Sequence, residues 1–243
     1  MKKYLQVLLP VYNEEKSIPK VLKEVFHEIS KTTPFEFILT EDGSTDGTKE
    51  LLRQLKGVYP ILLITSVKRK GYAKAIIDGM KKVNCEYVLC LDSDGQYYPK
   101  DFIKLWKLRK QNDIVIGWRI KRADVLQRRL LSGGFKFLYR LIFSVKIHDP
   151  SCPLILIKRE TLMIIVKELG VLKEGFWWEF VARANKRFII TEVKIRHRKR
   201  TDGETRVYSL DKLPYIAFSH ILGLYKIYKQ LKYLDKFHTK SSN

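Results

Sequence analysis

Short apolar runs alternate with amphipathic segments along the first half of the chain. The apolar runs predict five strands, over residues 5–11, 35–39, 61–64, 86–91 and 114–116. The segments between them predict four helices, over residues 17–30, 45–55, 71–83 and 99–109. One face of the first helix carries Ile18, Val21, Leu22, Val25, Phe26 and Ile29. Because strands and helices alternate with short connections, we expect an α/β fold with a mainly parallel twisted sheet and helices on both faces.

The pattern changes after residue 120. Apolar, aromatic and basic positions mix over residues 126–145, which predicts an amphipathic helix or a pair of helices. Further elements are predicted as a strand over 154–157, a helix over 160–169, a half-exposed strand over 188–196 and a last amphipathic helical stretch over 209–237. We therefore expect one domain over residues 1–208 and a C-terminal amphipathic helical extension over 209–243.

Polar clusters follow the predicted strands, as Tyr12-Asn13-Glu14, Glu41-Asp42-Gly43-Ser44, Asp92-Ser93-Asp94 and Gly117-Trp118-Arg119. Ligands of parallel sheets bind at the carboxyl ends of strands, so one crevice would collect these groups. Asp92 and Asp94 can turn toward one point, and Gln96 can add an amide oxygen. Such oxygen ligands suit Mg²⁺ or Mn²⁺, which would in turn bind phosphates. Taken alone, the triplet is more typical of a polar turn that caps a helix.

Composition and charge limit the classes of partner that this chain is expected to bind. The 243 residues carry a net charge of +21, which favours nucleic acid, an acidic membrane surface or phosphorylated substrates, although a solvated lysine-rich surface would give the same number. Cys85, Cys90 and Cys152 form no Cys-x-x-Cys pair, so we expect reduced, buried thiols. The apolar stretch before Pro10 is too short for a signal peptide, and no window reaches the roughly 18–20 apolar residues of a spanning helix. These features predict a cytoplasmic protein that lies on a membrane peripherally.

Read in order, the motifs are Pro10-Val11-Tyr12-Asn13-Glu14, Glu41 to Thr48, Lys70-Gly71-Tyr72-Ala73, Asp92-Ser93-Asp94 and Gly117-Trp118-Arg119. Their order and spacing resemble the family 2 glycosyltransferases with the GT-A fold over roughly residues 4–210. Within that family the chain is most similar to polyprenyl-phosphate sugar transferases of the dolichol-phosphate mannose synthase type. The segments that narrow the resemblance are Arg128 to Ser132, His148 to Cys152 and Arg200 to Arg206.

The sequence also departs from the family pattern. Glu41 stands where the family often has Asp, and Cys152-Pro153 stands where it often has a Gly-Phe-type pair. Thr205 and Arg206 replace the Ser and Lys of the family's basic loop. The C-terminal membrane spans common in the family have no counterpart in this sequence. These departures bear on the acceptor more than on the donor.

The resemblance implies an inverting, metal-dependent transfer of a hexose from a nucleotide sugar, of the GDP-mannose or UDP-glucose type, to a polyprenyl (dolichyl) phosphate at the cytoplasmic membrane face. The metal, Mg²⁺ or Mn²⁺, would be held by Asp92, Asp94 and Gln96. The implied nucleotide-sugar contacts are Pro10, Tyr12, Glu14, Asp42, Lys70 and, through the metal, Asp92. The implied acceptor-phosphate contacts are Arg119, Arg128 and Ser132, while Arg200 and Arg206 would close over the diphosphate. The implied catalytic residues are Asp94, Arg119 and Arg200.

Each implied contact has a simpler alternative. Asp42 can belong to a helix-capping turn, Lys70 can be a surface lysine and Arg128 can face solvent. Trp177-Trp178 can be core or an interfacial contact. The partners implied by the resemblance are a nucleotide sugar, a lipid phosphate and an anionic membrane surface, with no nucleic acid.

Three other functions are weighed against this one. A nucleotidyltransferase would show a Gly-rich basic loop after the first strand, where this chain has Tyr-Asn-Glu-Glu. A nucleic-acid-binding domain would not explain carboxylates clustered at the strand ends. A family 2 glycosyltransferase acting on a glycan hydroxyl would need a carboxylate base near the acceptor, for which Glu179 and Asp149 are the candidates.

Overall fold

The computed structural model describes the backbone of residues 4–120, 126–200 and 213–240, and the side chains of those ranges except 126–133, 213–218 and 234–240. The strands in these ranges are β1 (Leu5–Val11), β2 (Phe35–Glu41), β3 (Ile61–Thr65), β4 (Tyr87–Cys90), β5 (Ile114–Arg119), β6 (Ile155–Lys158) and β7 (Ile190–Ile195). The helices are α1 (Ile18–Ile29), α2 (Thr48–Leu55), α3 (Tyr72–Met80), α4 (Phe102–Leu108), α5 (Leu126–Phe143), α6 (Arg159–Ile165), α7 (Phe176–Ala184) and α8 (Leu213–Lys240). A single 3₁₀ turn, Pro99–Asp101, leads into α4.

The strands form one sheet in the order β3-β2-β1-β4-β6-β5-β7. All neighbouring pairs are parallel except the two made by β6, which is antiparallel to both β4 and β5. Six strands therefore point the same way. The predicted α/β class and the mainly parallel sheet are confirmed, while the reversed direction of β6 could not be read from its short apolar run.

The positions of the buried residues show how the sheet is covered. Every residue of β1 is buried. Because successive strand residues point to opposite faces, both faces of the sheet are covered there. In α1 the buried residues are Ile18, Val21, Leu22, Val25 and Ile29, which is the face predicted from the 3.6-residue period. The three cysteines are buried free thiols, as expected, and burial raises the pKa of Cys152 to about 12.

Two elements differ from the sequence-based expectations. Helix α2 begins at Thr48 rather than Thr45, because the Thr45 N–H donates to the side-chain oxygen of Asn13 and is thereby used in a loop contact. Helix α7 was not predicted, since most of its side chains are buried and no polar stripe reveals its period. Trp177 and Trp178 both lie on this helix, where Trp177 is buried and Trp178 packs against the core.

Helix α8 packs on α5 and α7. Its inward side includes Gly223, Leu224 and Ile227, of which the last two are fully buried. A Cβ at Gly223 would lie 2.2 Å from a methyl carbon of Leu172, so glycine permits the close approach here. The expected domain boundary at residues 208 and 209 lies outside the described residues. No helix in the described part of the chain is long and apolar enough to cross a membrane.

Candidate active site

The order of the strands creates a crevice beside β1. The chain runs outward from β1 to β2 and β3, then returns to place β4 on the other side of β1. In open α/β sheets, ligands bind outside the carboxyl ends of the strands at such a point of reversal. The segments that follow β1 and β4 here are Tyr12-Asn13-Glu14 and Asp92 to Gln96. The topology thus brings the two most polar motifs of the sequence together.

The segment after β4 turns its two carboxylates toward the crevice. Asp92 Oδ1 accepts a hydrogen bond from the Tyr72 hydroxyl at 2.8 Å, and Asp94 Oδ1 accepts one from the Gln96 N–H at 3.0 Å. Between them, Ser93 is buried and its Oγ donates to the Pro10 carbonyl at 2.8 Å. Pro10 lies beyond the ladder that β1 makes with β4, so a proline without an N–H fits this position.

The two carboxylates destabilise each other's charge. Burial, together with the negative charge of Asp94, raises the pKa of Asp92 to about 7. Burial also raises the pKa of Asp94, against the opposing effects of the Gln96 N–H and the Arg200 charge. A divalent cation would relieve this repulsion, and two carboxylates with further oxygen donors are a donor set that suits Mg²⁺ or Mn²⁺.

The donor set is small. Among the described residues, no group of three or more His, Cys, Asp and Glu gathers as a metal cage. An ion held by Asp92 and Asp94 would therefore complete its shell with phosphate oxygens and water, as Mg²⁺ commonly does. Gln96 lies two residues on, and its amide nitrogen is 3.4 Å from the Arg198 carbonyl that accepts from it. A ligand role for Gln96 would use the amide oxygen.

The loop after β1 is fastened to the loop after β2. Asn13 adopts a left-handed backbone conformation with φ 52°, and its N–H donates to Ser44 Oγ at 3.0 Å. The Glu14 N–H donates to Thr48 Oγ1 at 2.9 Å. The guanidinium of Arg69 lies 4.2 Å from the centre of the Tyr12 ring. These contacts hold the segment after β1 against the segment after β2.

Asp42 organises the next loop. Its two oxygens accept the N–H groups of Lys70 at 2.7 Å and Gly71 at 2.9 Å. Gly71 has φ 95°, a conformation that favours glycine. The Lys70 ammonium is paired with Asp78 on α3. The structure therefore gives Asp42 a loop-holding contact, and a nucleotide contact would come in addition to it.

Arg119 ends β5 and is engaged by Asp149. Its Nε and Nη2 contact the two Asp149 oxygens at 2.7 and 2.9 Å, and Nη2 also donates to Ser151 Oγ at 2.8 Å. The Asp149 N–H donates to Glu192. The bidentate edge of Arg119 is thus already filled, so an acceptor phosphate would meet mainly its positive charge.

Basic residues from the segment after β7 reach the crevice. The Arg200 guanidinium pairs with Glu14, which also accepts from Ser17 Oγ. Burial raises the pKa of Glu14 despite the hydrogen bond from Ser17 and the charge of Arg200. Arg128 and Ser132 lie on α5, but their side chains belong to the undescribed part of the structure, as does all of Arg206.

Glu179 is excluded as an acceptor-side base. It is fully buried on α7, and its Oε1 accepts from Arg183 Nε and Nη2 at 2.9 and 2.8 Å. Its Oε2 accepts the N–H groups of Gly170 and Leu172 at 3.3 and 2.8 Å. A carboxylate with both oxygens filled by buried donors serves the core. Asp149, held by Arg119, is likewise committed to an ion pair.

Sequence reasoning missed two residues at the site. Tyr72, the first residue of α3, donates to Asp92, and Trp177 on α7 donates its indole N–H to the Tyr72 hydroxyl at 2.8 Å. Trp177 and Asp92 are far apart in the chain, so no local pattern links them. The one available signal was the position of Tyr72 directly after the Lys70-Gly71 motif.

Comparison with known proteins agrees with this geometry. Residues 6–163 match the family described as Glycosyl transferase family 2. The chain belongs to this family and is a glycosyltransferase. It is 30% identical over 245 residues to a dolichyl-phosphate beta-glucosyltransferase of Trichomonas vaginalis, covering 92% of this chain and 76% of that protein. It is 28% identical to an undecaprenyl-phosphate 4-deoxy-4-formamido-L-arabinose transferase of Serratia proteamaculans, covering 91% and 68%.

Solved structures agree in fold. A glucosyl-3-phosphoglycerate synthase of Mycobacterium tuberculosis, in complex with Mn²⁺, UDP-glucose and phosphoglyceric acid, superposes with a TM-score of 0.69 at 18% identity, covering 93% of this chain and 80% of that one. Staphylococcus aureus TarS 1–349 superposes with a TM-score of 0.60 at 18% identity, covering 81% of this chain. The chain spans 59% of that TarS structure. These likenesses support the GT-A fold.

Proposed function

We propose that this protein transfers a hexose from a nucleoside diphosphate sugar to a polyprenyl phosphate, with inversion and with a divalent metal ion. The observation that supports this most directly is the pair Asp92 and Asp94 at the strand reversal, raised in pKa and close to the positive charges of Arg119 and Arg200. The relatives named for transfer to dolichyl and undecaprenyl phosphates support the acceptor class.

The chemistry asks little of a general base. A phosphate acceptor has a second pKa near 6, so its oxygen is already anionic at neutral pH. That oxygen would form a bond to the anomeric carbon while the bond from this carbon to the diphosphate oxygen breaks, and no proton has to leave the acceptor. The commitment of Glu179 and Asp149 to ion pairs supports this acceptor over a glycan hydroxyl, which would need a carboxylate base.

Asp92, Asp94 and Gln96 would hold the ion. When bound, the metal neutralises charge on the departing nucleoside diphosphate. Tyr12, Glu14 and Pro10 would line the nucleobase pocket, with Asp42 and Lys70 toward the ribose and sugar. Arg200 would exchange Glu14 for the diphosphate, since both are anionic partners of one guanidinium. Arg119, Arg128, Ser132 and Arg206 complete the proposed set.

A panel assay tests this function. The purified protein is incubated with GDP-mannose, UDP-glucose and related donors, with short polyprenyl phosphates, and with or without Mn²⁺. Glycolipid formed only with metal is the expected result. Product formed on a glycan hydroxyl and on no phosphate acceptor would overturn the acceptor assignment. Metal-independent product would overturn the role of Asp92 and Asp94.

We also propose peripheral attachment to the cytoplasmic face of an anionic membrane. On α5, Phe137 is 73% exposed and Leu141 is 70% exposed, one helical turn apart. On α8, Tyr225 and Tyr228 are exposed beside lysines, including Lys229, whose ammonium lies 4.7 Å from the centre of the Tyr225 ring. Exposed aromatic and aliphatic groups with lysines suit a headgroup interface.

Vesicle sedimentation tests the attachment. The protein should sediment with vesicles that contain an anionic phospholipid and much less with purely zwitterionic ones. Changing Phe137 and Leu141 to Ser should weaken sedimentation severalfold. The matched control is Val58→Ser, because Val58 is 69% exposed but lies far along the chain, between α2 and β3. Equal losses in both variants would contradict the proposed surface.

A further inference from the structure

We propose that Tyr72 and Trp177 are positioning residues that fix the orientation of Asp92 for the metal ion. The Trp177 indole N–H donates to the Tyr72 hydroxyl, and that hydroxyl donates to Asp92 Oδ1, with both distances 2.8 Å. The inference rests on the proposed function, because it presumes that Asp92 is a metal ligand. It adds two residues that approach Asp92 from α3 and α7.

The direction of the proton along this chain is fixed by chemistry. An indole nitrogen can only donate, so the Tyr72 oxygen must act as the acceptor of that bond. The one hydroxyl proton of Tyr72 is then left for Asp92, which in its ionised, cation-binding form can only accept. Rotation of the hydroxyl away from Asp92 would leave that carboxylate oxygen without its partner. Trp177 therefore keeps Tyr72 committed to Asp92.

The surrounding fold holds both residues still. Trp177 is 5% exposed and its ring packs against Phe176 and Phe180, with centroid distances of 5.0 and 5.6 Å. Its N–H would be costly to bury without an acceptor. Tyr72 begins α3 directly after Gly71, whose N–H is held by Asp42, and its ring meets Phe176 edge-on.

This arrangement assigns different tasks to the two oxygens of Asp92. Oδ1 accepts from Tyr72, and Oδ2 would be the freer oxygen to bind a cation. A carboxylate held in this way cannot turn freely, and partners that orient a metal ligand commonly change metal affinity about 10–100-fold when removed. We expect Tyr72→Phe to weaken Mn²⁺ binding at least about tenfold. Mg²⁺ should suffer more than Mn²⁺, because Mg²⁺ demands stricter geometry.

The chain contains a matched control. Tyr139 on α5 is fully buried and its hydroxyl donates to the Trp178 carbonyl at 2.8 Å. Tyr139→Phe therefore removes the same atom, next to the neighbouring tryptophan, without touching Asp92. Since Tyr139 is more buried than Tyr72, its loss should disturb packing at least as much. A general loosening of the protein would appear in this control first.

The experiment measures free Mn²⁺ by electron paramagnetic resonance, with full-length protein and UDP or GDP present. The proteins compared are the wild type, Tyr72→Phe, Trp177→Phe, the double variant with both changes, and Tyr139→Phe, each first checked for folding by near-ultraviolet circular dichroism. Weaker Mn²⁺ binding in Tyr72→Phe, a smaller loss in Trp177→Phe and none in Tyr139→Phe is the expected result. The effects of the Tyr72 and Trp177 changes should not add, because both act through one hydrogen bond.

Two kinds of result would count against the proposal. Wild-type affinity in Tyr72→Phe, or equal losses in Tyr72→Phe and Tyr139→Phe, would overturn the positioning role while leaving the proposed function intact. No Mn²⁺ binding by the wild type with either nucleotide would remove the metal assignment itself, and the positioning role with it.

If Tyr72→Phe fails to fold, Trp177→Phe decides the question. In the assay of transfer, the apparent Mn²⁺ constant should rise while kcat at saturating Mn²⁺ changes little.

Discussion

Two sets of carboxylates in this molecule have opposite surroundings. Glu179 in the core accepts four hydrogen bonds, two from Arg183 and two from backbone N–H groups. At the strand ends, Asp92 accepts from the Tyr72 hydroxyl and Asp94 accepts from the Gln96 N–H, and the charge of Asp94 raises the pKa of Asp92. Each set is partly or wholly removed from water, and at the strand ends this burial raises the pKa of both Asp92 and Asp94.

This difference distinguishes a carboxylate that serves the core from a carboxylate pair that is suited to bind a ligand. A buried carboxylate with a full set of donors keeps its charged partner compensated, and it has no capacity left for a ligand. A carboxylate pair that the fold leaves electrostatically unfavourable has a free-energy gain in store for an added cation. The sequence shows both simply as acidic residues. Only the donors around them tell the two apart.

Chelation should produce the largest effect. Removing divalent ions with EDTA should abolish transfer, and adding Mn²⁺ or Mg²⁺ back should restore it, because the diphosphate then regains its counter-charge. The melting temperature without nucleotide should hardly change, since none of the proposed metal ligands belongs to the buried core around Glu179. Turnover is followed by radiolabelled glycolipid, and full activity in EDTA would contradict the metal role.

Asp94→Asn should come next. We expect transfer to fall by about a thousandfold, since several kcal/mol of charge stabilisation depend on the ion. Thermal stability should be unchanged or slightly higher, because the substitution removes one of two repelling charges. Steady-state kinetics and calorimetry measure the two outcomes. If Asp94→Asn lowered stability and left activity unchanged, Asp94 would be a structural carboxylate like Glu179 and not part of an active site.

Glu179→Gln should do the reverse. It leaves the buried Arg183 guanidinium, 2% exposed, without its main charge partner, which should lower the free energy of unfolding by about 3–4 kcal/mol. Activity per folded molecule should remain. Urea denaturation measures the loss. Adding Arg183→Met should recover part of it, and a failure to recover any would mean that the pair is not what stabilises this part of the core.

Arg200→Gln should have the smallest effect. We expect kcat/KM for the donor to fall about tenfold, as one charge-assisted hydrogen bond to the diphosphate is lost. The comparison variant is Glu14→Gln, which breaks the same ion pair but leaves the guanidinium in place. If Arg200 served only to pair with Glu14, the two variants would show equal losses.

Much of the fold follows from local patterns. Short apolar runs and the face of α1 predict the parallel sheet, and the Asp92-Ser93-Asp94 triplet falls directly after a strand as expected. Helix α7 escaped prediction because burial on nearly all sides removes the polar stripe that marks a helix. The direction of β6 escaped because a four-residue apolar run does not encode orientation.

The site was predictable in location and less so in contacts. Because Asp42 and Asp92 each follow a predicted parallel strand, the sequence places both at the carboxyl ends of the strands. It does not reveal that Asp42 holds the Lys70-Gly71 turn, or that Arg119 is engaged by Asp149. The roles of all these residues stay predictions. Contacts such as Trp177 with Tyr72 join residues far apart in sequence, so only the tertiary structure can show them.

The residues that follow the carboxylate pair also contact the chain just after β7. An isolated bridge pairs Tyr97 with His197, and the Arg198 N–H donates to the Gln96 carbonyl at 2.9 Å. The basic segment that begins at Arg200 is thus anchored on its N-terminal side to the same few residues that follow the carboxylate pair. A substitution at Gln96 or Tyr97 would therefore act on the carboxylate segment and on the start of the basic segment at once.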